Sequence, residues 1–209
     1  GTIAGLAAGL IATGKVPRED GTLKSTRLEV LVDGELADVA IVDAVVCDDI
    51  FLGSRAVWKM DKIRQVFLNR CSPASIGFSS IGGLLYSIEP NDLYSMVLEL
   101  DKDGLAVTAP IAPGVVEAVY VKQAELMNPG EAVTLSSQPC IVALDGEREM
   151  EIKEGQRAAI RLAAEGPEVV DVNRTMTLAM QNKTLARENE KKSVNHPNLL
   201  WQLNLDKHN

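Results

Sequence analysis

From Leu105 to Val172 the chain is written as short apolar runs cut off by turn residues, and this punctuation limits what it can fold into. Runs at Leu105–Ile111, Val115–Val121, Ala132–Ser136, Cys140–Leu144, Glu149–Ile152 and Ala158–Leu162 are bounded by Pro113-Gly114, Pro129-Gly130, Pro139, Asp145-Gly146 and Glu154-Gly155. A last run, Val169–Val172, follows Gly166-Pro167. Segments so brief are too short for ordinary helices, and Gly, Pro and Asp between them turn the chain back on itself. The expected class is mostly β (α+β), built as a sandwich or irregular antiparallel sheet. Tyr94–Leu100 and Leu105–Ile111 are expected to pair as a hairpin about Asp101–Gly104.

The same pattern begins earlier. In LKSTRLEVLVDG, Leu28, Val30 and Val32 alternate with Arg27, Glu29 and Leu31 before Asp33-Gly34, which predicts a strand and a turn. ADVAIVDAVVC, up to Cys47, is nearly all apolar, as a central strand would be. Asp43 is the one charge in its apolar part. It is expected either to be paired, hydrogen-bonded or used, or to point outward on a polar face. Arg55–Asn69, after a possible cap at Ser54, puts Ala56, Met60, Ile63 and Phe67 on one stripe and Arg55, Lys59 and Lys62 on another, predicting an internal helix. Ile3, Leu6, Ala7, Leu10 and Ile11 predict a helix over residues 2–13. Its abrupt, uncapped start suggests a segment cut from something longer. Val16–Gly21 reads as a loop, and Met176–Lys192 as a helix leading into a polar tail expected to be mobile unless a partner holds it.

Cys71–Tyr86, CSPASIGFSSIGGLLY, gathers small residues into about the length of a strand–turn–strand. Small side chains let a ligand reach the main chain, leaving hydroxyls and N–H groups to hold a phosphate or ribose. The same composition also suits a Gly-rich bulge with serines on the wet face.

Composition narrows the function. A formal charge of -8 argues against a nucleic-acid partner, since phosphate backbones call for a basic surface. No apolar run reaches the ~20 residues that span a bilayer, and the opening segment lacks the basic lead of a signal peptide. Cys47, Cys71 and Cys140 show neither metal-ligand nor redox-motif spacing, which fits buried thiols in a cytoplasmic protein. His196 and His208 both lie in the tail, so histidine acid–base chemistry and a zinc site are not expected.

Several segments, in order, resemble the ATP-NAD kinase superfamily. Ala40-Ile41-Val42-Asp43 with Ala44-Val45-Val46 is similar to the Ala-Leu-Asn-Glu-Val-Val segment of NAD kinases. Ser75–Gly83 stands where they carry Thr-Pro-Thr-Gly-Ser-Thr-Ala-Tyr. Leu105–Pro113 resembles Leu-Thr-Pro-Ile-Ser-Pro, and Val142–Glu147 with Glu154-Gly155 resembles their Val-Asp-Gly-Gln hairpin and the turn after it. The order and spacing of these segments, over about Leu23–Leu162, point to the branch that includes acetoin catabolism protein X.

The resemblance implies an NAD kinase-like C-terminal β-sandwich domain with one internal helix and helical segments at both ends. Its expected parts are 1–22, helix and linker from a nucleotide-binding half; 23–175, the β-rich domain; and 176–209, helix and tail. It implies ATP-dependent phosphorylation of NAD to NADP by an intact protein, with Mg²⁺, an N-terminal α/β domain as partner and a homo-oligomeric state. The general base would belong to a Gly-Gly-Asp-Gly motif of that domain, and no such motif occurs here, so no catalytic or metal-binding residue is assigned to this chain. By position, Asp43 matches the acidic residue that contacts the dinucleotide, and Ser75, Gly77, Ser79 and Ser80 match the loop lining its pocket. Val42 stands in place of the family's Asn, and Phe78 and Ile81 interrupt the loop's wording. A non-catalytic nucleotide-binding or assembly module is the alternative, and a diacylglycerol-type lipid kinase a further one.

Overall fold

The computed structural model describes residues 1–48 and 60–186. Two helices open the chain, α1 (Thr2–Ala12) and α2 (Arg18–Gly21), the latter a single turn where the sequence predicts a loop. Strands follow: β1 (Thr22–Lys24), β2 (Arg27–Val32), β3 (Glu35–Ala40), β4 (Asp43–Cys47) and, after a 3-10 turn at Met60–Lys62, β5 (Ile63–Leu68). A short helix, α3 (Phe78–Gly83), precedes β6 (Ser95–Ala112), β7 (Val115–Met127), β8 (Ala132–Thr134), β9 (Cys140–Leu144), β10 (Arg148–Ile152), β11 (Ala158–Ala163) and β12 (Glu168–Val170). The last element is α4 (Val172–Gln181). The strands and α3 belong to one compact unit, Thr22–Asp171, while α1, α2 and α4 belong to another.

The strand unit is a sandwich. One sheet orders β10-β9-β4-β5-β6-β7 and the other β3-β2-β11-β8, with every pairing antiparallel; β1 and β12 form a separate two-stranded ladder. Between the sheets lies an aliphatic core in which Leu28, Val30, Ile160 and Leu162 meet Ala44, Val46, Phe67, Val142 and Leu144. A second core covers the other face of the six-stranded sheet, where Phe78 and Ile81 of α3 pack on Val45, Val66, Leu68, Leu98 and Ala109. That sheet is thus apolar on both faces over β4 and β5. Each side chain of this size, fully buried, contributes roughly 1.5–3 kcal/mol.

Double-sided burial explains the largest departure from the sequence-based expectation. The spacing predicts a helix over residues 55–69; positions 55–59 lie outside the described residues, and Ile63–Leu68 form a central strand. Ile63, Val66 and Leu68 face the α3 side while Phe67 faces the other sheet. A strand buried on both faces has no alternation, so its apolar spacing can imitate a helix.

Three other expectations also change. ADVAIVDAVVC is not one strand: it breaks at Ile41-Val42, where the chain leaves an edge of the smaller sheet and enters the middle of the larger. The expected hairpin about Asp101–Gly104 is a bulge within one long strand. Leu100 and Leu105 both register on Val121, and the reversal comes after Ala112. Cys71–Tyr86 is not a strand–turn–strand but encloses α3, tied at its base by the Cys71–Ile88 bridge.

In the helical unit Leu10 and Val16 pack with Ala179 of α4, and the Thr175 hydroxyl donates to the Gly21 carbonyl at 3.1 Å. The helix expected over Met176–Lys192 begins earlier and ends at Gln181. The tail from 187 onward lies outside the described residues.

The bulge sets a test. A Cβ on Gly104 would stand 2.4 Å from the carbonyl carbon of Val121 and 2.5 Å from its oxygen, contacts that force the β6–β7 backbones apart. Gly104→Ala is expected to lower stability by about 1–3 kcal/mol, seen as a lower urea midpoint at unchanged slope. Asp103→Ala should leave the midpoint in place.

Candidate functional site

The strand break at Ile41-Val42 exposes backbone N–H groups that neither sheet can pair, and Asp145 supplies the acceptors. Its carboxylate accepts from the N–H of Ile41 at 2.9 Å, of Val42 at 2.7 Å and, more distantly, of Asp43 at 3.3 Å. In return the Asp145 N–H donates to the Asp43 carbonyl at 2.9 Å. Asp145 can do this because it sits in the tight β9–β10 turn at φ 54°, a conformation that Asp tolerates better than most residues. Arg148, at the far side of the turn, reaches Asp145 at 3.7 Å and Asp38 at 2.5 Å.

Opposite the crossing, Asn69 fixes the start of β4 to the end of β5. Its N–H donates to the Val42 carbonyl at 2.9 Å, and its side-chain amide donates to the carbonyls of Thr26 and Ile41, both at 2.9 Å. The Thr26 hydroxyl donates back to Asn69 at 2.6 Å. Both residues are buried.

These contacts set Asp43 in the face of the larger sheet that carries Val45, the face toward α3. There a cavity of about 460 Å³ opens, lined by Val42 and Asp43, Ile76–Ser79, Ile111–Ala112 and Asp145–Gly146, with Met60, Val115 and Glu117 completing it. Three of the five residues picked from the sequence therefore share one wall: Asp43, Gly77 and Ser79. Ser75 and Ser80 do not line it. The Ser75 hydroxyl donates to the Ser72 carbonyl at 2.6 Å, and Ser80 is fully buried with its hydroxyl on the Gly77 carbonyl at 2.7 Å. The Ser79 hydroxyl donates to the Arg70 carbonyl at 2.9 Å. All three hydroxyl protons are thus engaged inside the protein, and toward a ligand these groups act as acceptors.

Close packing accounts for the paired glycines of α3. A Cβ on Gly83 would lie 2.2 Å from the Ser72 carbonyl carbon, so part of the small-residue run exists to seat the helix on Cys71–Pro73. Gly77 anchors the opposite end by donating its N–H to the Pro110 carbonyl at 2.9 Å.

The cavity is apolar with acidic points: Asp43, Glu117 and Asp145. Burial, reinforced by the charge of Asp145, pushes the Asp43 carboxyl from an ordinary 3.8 up to about 6. No described residue donates a hydrogen bond to that carboxyl. A group so placed accepts hydroxyl or amino protons, or holds a proton itself near neutrality. No group of three metal-ligating side chains converges among the described residues. All three cysteines are buried, and burial raises the Cys71 thiol to about 12 and Cys140 to about 11, which makes these two poor nucleophiles.

Sequence reasoning missed Glu117 and Val115, which reach the cavity only because β6 and β7 run on to the hairpin at Pro113-Gly114. It also read Asp145 as a turn residue alone, and a lone Asp-Gly carries no signal for a carboxylate that binds a distant strand break.

The acetoin catabolism protein X C-terminal domain matches residues 26–165. This chain belongs to that family. A Cupriavidus necator protein named acetoin catabolism protein X is 37% identical over 156 residues, covering 71% of this chain and 44% of the relative. The chain therefore spans less than half the length of that member of the family. A crystal structure of yeast NADH kinase complexed with NADH aligns with a TM-score of 0.41 at 11% identity, over 81% of this chain and 50% of that one. Among the described residues no helix is long and apolar enough to cross a membrane.

Two substitutions probe the site. Asp145→Ala leaves the crossing N–H groups without acceptors and is expected to cost on the order of 3 kcal/mol, read as a fall in the urea midpoint. Asp43→Asn should do the reverse at neutral pH. The folded carboxyl binds its proton more tightly than the unfolded one, so wild-type stability from this group is present below about pH 4 and lost as pH rises toward 6. The variant's advantage should accordingly grow from near zero at pH 4 to roughly 2–3 kcal/mol at pH 7, measured as the difference between the two unfolding free energies at each pH.

Proposed function

We propose that this chain is the dinucleotide-binding half of an NAD kinase-like phosphotransferase, which in its intact form phosphorylates NAD to NADP with ATP. One observation carries the reading. Four segments that separately resemble the kinases, at Val42-Asp43, Ile76–Ser79, Ile111–Ala112 and Asp145–Gly146, line a single cavity. In that cavity Asp43, an acceptor without a protein donor, suits a ribose hydroxyl or an adenine amino group. The engaged hydroxyl of Ser79 and the open main chain about Gly77 offer further polar contacts at the wall. The residues described here suit the organic ligand but do not assemble a site for Mg²⁺. Phosphoryl transfer also requires a base aimed at the acceptor hydroxyl. This chain's part is to bind and orient, and no chemical step is assigned to it.

A second reading is a nucleotide-binding or assembly module without phosphotransfer, and a specific feature favours it. Val42 forms the cavity wall where the kinases carry Asn, and its N–H is already held by Asp145, so a donor–acceptor side chain is missing from the wall. Calorimetry separates a binding cavity from a purely structural one. NAD is expected to bind the chain with measurable heat, and Asp43→Ala to weaken that binding roughly tenfold, the scale of one hydrogen bond to a charged acceptor. The intact protein with NAD, ATP and Mg²⁺ is expected to form NADP. Binding without NADP formation would select the second reading, and no heat with NAD, NADP or ATP would remove the first and leave of the second only an assembly role.

A further inference from the structure

The cavity is acidic at its wall, yet a cationic residue, Arg70, is hydrogen-bonded to one of its wall residues. Arg70 follows the Asn69 clamp, and its carbonyl receives the hydroxyl of Ser79, a residue of the cavity wall. The backbone at Arg70 is therefore held from the β5 side by Asn69 and from the α3 side by Ser79. Its side chain is half-buried, and its Nε is fully buried without a hydrogen-bond partner. No carboxylate among the described residues lies within ion-pair distance of the guanidinium. The acid whose charge acts on it is Asp145, whose oxygens are taken by the crossing N–H groups and approached by Arg148.

A guanidinium with a buried, unpartnered Nε and only a carboxylate already committed elsewhere for counter-charge is costly, whereas an anion supplied from outside would recover that cost through charge-assisted hydrogen bonds. Other cations near clefts of this domain are placed differently. Arg64 is already paired with Asp48, and Lys102 and Lys122 stand on exposed strand positions beside Asp101 and Glu99. Among these described cations Arg70 alone combines partial burial, an unused donor and a backbone hydrogen bond to a wall residue of the cavity that holds Asp43.

We propose that Arg70 is the anion anchor of this cavity, receiving a phosphate group of a small, hydroxyl-bearing ligand whose hydroxyls reach Asp43. The assignment rests on the cavity being a ligand site, as proposed above, but not on the ligand being a dinucleotide. It assigns the two ends of the ligand to two residues: the phosphate to Arg70 and the hydroxyls to Asp43. The bland role for Arg70 is a stem that packs under α3 with its head turned to water, and that role predicts no response to anions.

The test follows the Nε–H signal of Arg70 by nitrogen-edited NMR in the whole chain, assigned by its loss in Arg70→Lys, during titration with inorganic pyrophosphate at constant ionic strength. A saturable shift of this signal is expected. Arg70→Gln should abolish pyrophosphate binding and weaken NAD roughly tenfold or more while adenosine affinity stays unchanged, with partial recovery in Arg70→Lys. No shift at Arg70, or Arg70→Gln binding pyrophosphate and NAD as the wild type does, overturns the proposal. Equal losses for adenosine and NAD overturn it too, since they show a general structural defect. If Arg70→Gln does not fold, the wild-type titration alone decides. Pyrophosphate binding at Arg70 with no binding of NAD or adenosine would sink the dinucleotide reading and leave the anion anchor standing.

Discussion

The carboxylate of Asp145 is the contact on which the sandwich and its cavity both depend. A chain that passes from one sheet to another must give up ladder pairing for a residue or two, and buried N–H groups without acceptors cost free energy. Here the crossing at Ile41-Val42 is short because one side chain from a neighbouring turn accepts from the N–H groups of the crossing. The turn that delivers it belongs to β9, the strand that pairs with β4 immediately after the crossing. The link is therefore self-consistent: correct β4–β9 register places Asp145, and Asp145 permits β4 to begin where it does.

Parity along β4 then decides which side chain enters which layer. With β4 starting at residue 43, its odd positions face α3 and its even positions face the smaller sheet, so Val45 joins one core while Ala44 and Val46 join the other. Asp43 falls on the α3 side at the very end of the strand, beyond the packed core but still under its edge. A one-residue slip would have turned Asp43 into the inter-sheet core, where an unpaired carboxylate is far more costly. The cavity exists at this place because α3 is only six residues long and covers one end of the sheet, leaving the strand ends beside it to the β6–β7 hairpin.

The division between what could be read from the sequence and what could not tracks the range of the interactions. Turns written in two residues, Asp33-Gly34 and Asp145-Gly146, were legible because their conformational demand is local. So were β2, β9 and β11, whose ends are marked by such turns. The identity of β5 was not: IRQVFL is apolar on both sides because it lies between two layers, and nothing within the segment states that. The bulge at Asp101–Gly104 has the composition of a hairpin turn and differs only in that β7 is long enough to pair on both sides of it. Asp43 was visible as a charge out of place, and the loop at Ser75–Ser80 as a cluster of small residues. That Ser80 is core and Ser79 is wall could be settled only by α3, whose existence depends on Phe78 and Ile81 finding the sheet. Arg70 gave no signal at all, since an arginine after a strand is ordinary until its surroundings are known.

Asp43 and Arg70 together say something about the purpose of this end of the sheet. Each is an ionisable group held partly out of water, and neither is satisfied by the other or by a described neighbour. Burial works against the charged form of both, raising the carboxyl and lowering the guanidinium. Elsewhere the same domain pairs its buried charge fully: Glu29 is met by both Arg27 and Arg161 at 2.6 Å. The contrast lies between such fully paired groups and Asp43, which lines the cavity, with Arg70, which is hydrogen-bonded through its carbonyl to a wall residue. An arrangement that costs stability at one spot, beside a cavity with open main chain, is the observation that favours the proposed binding site over a purely structural cavity. On the proposed reading the ligand supplies what each lacks, a donor for Asp43 and an anion for Arg70.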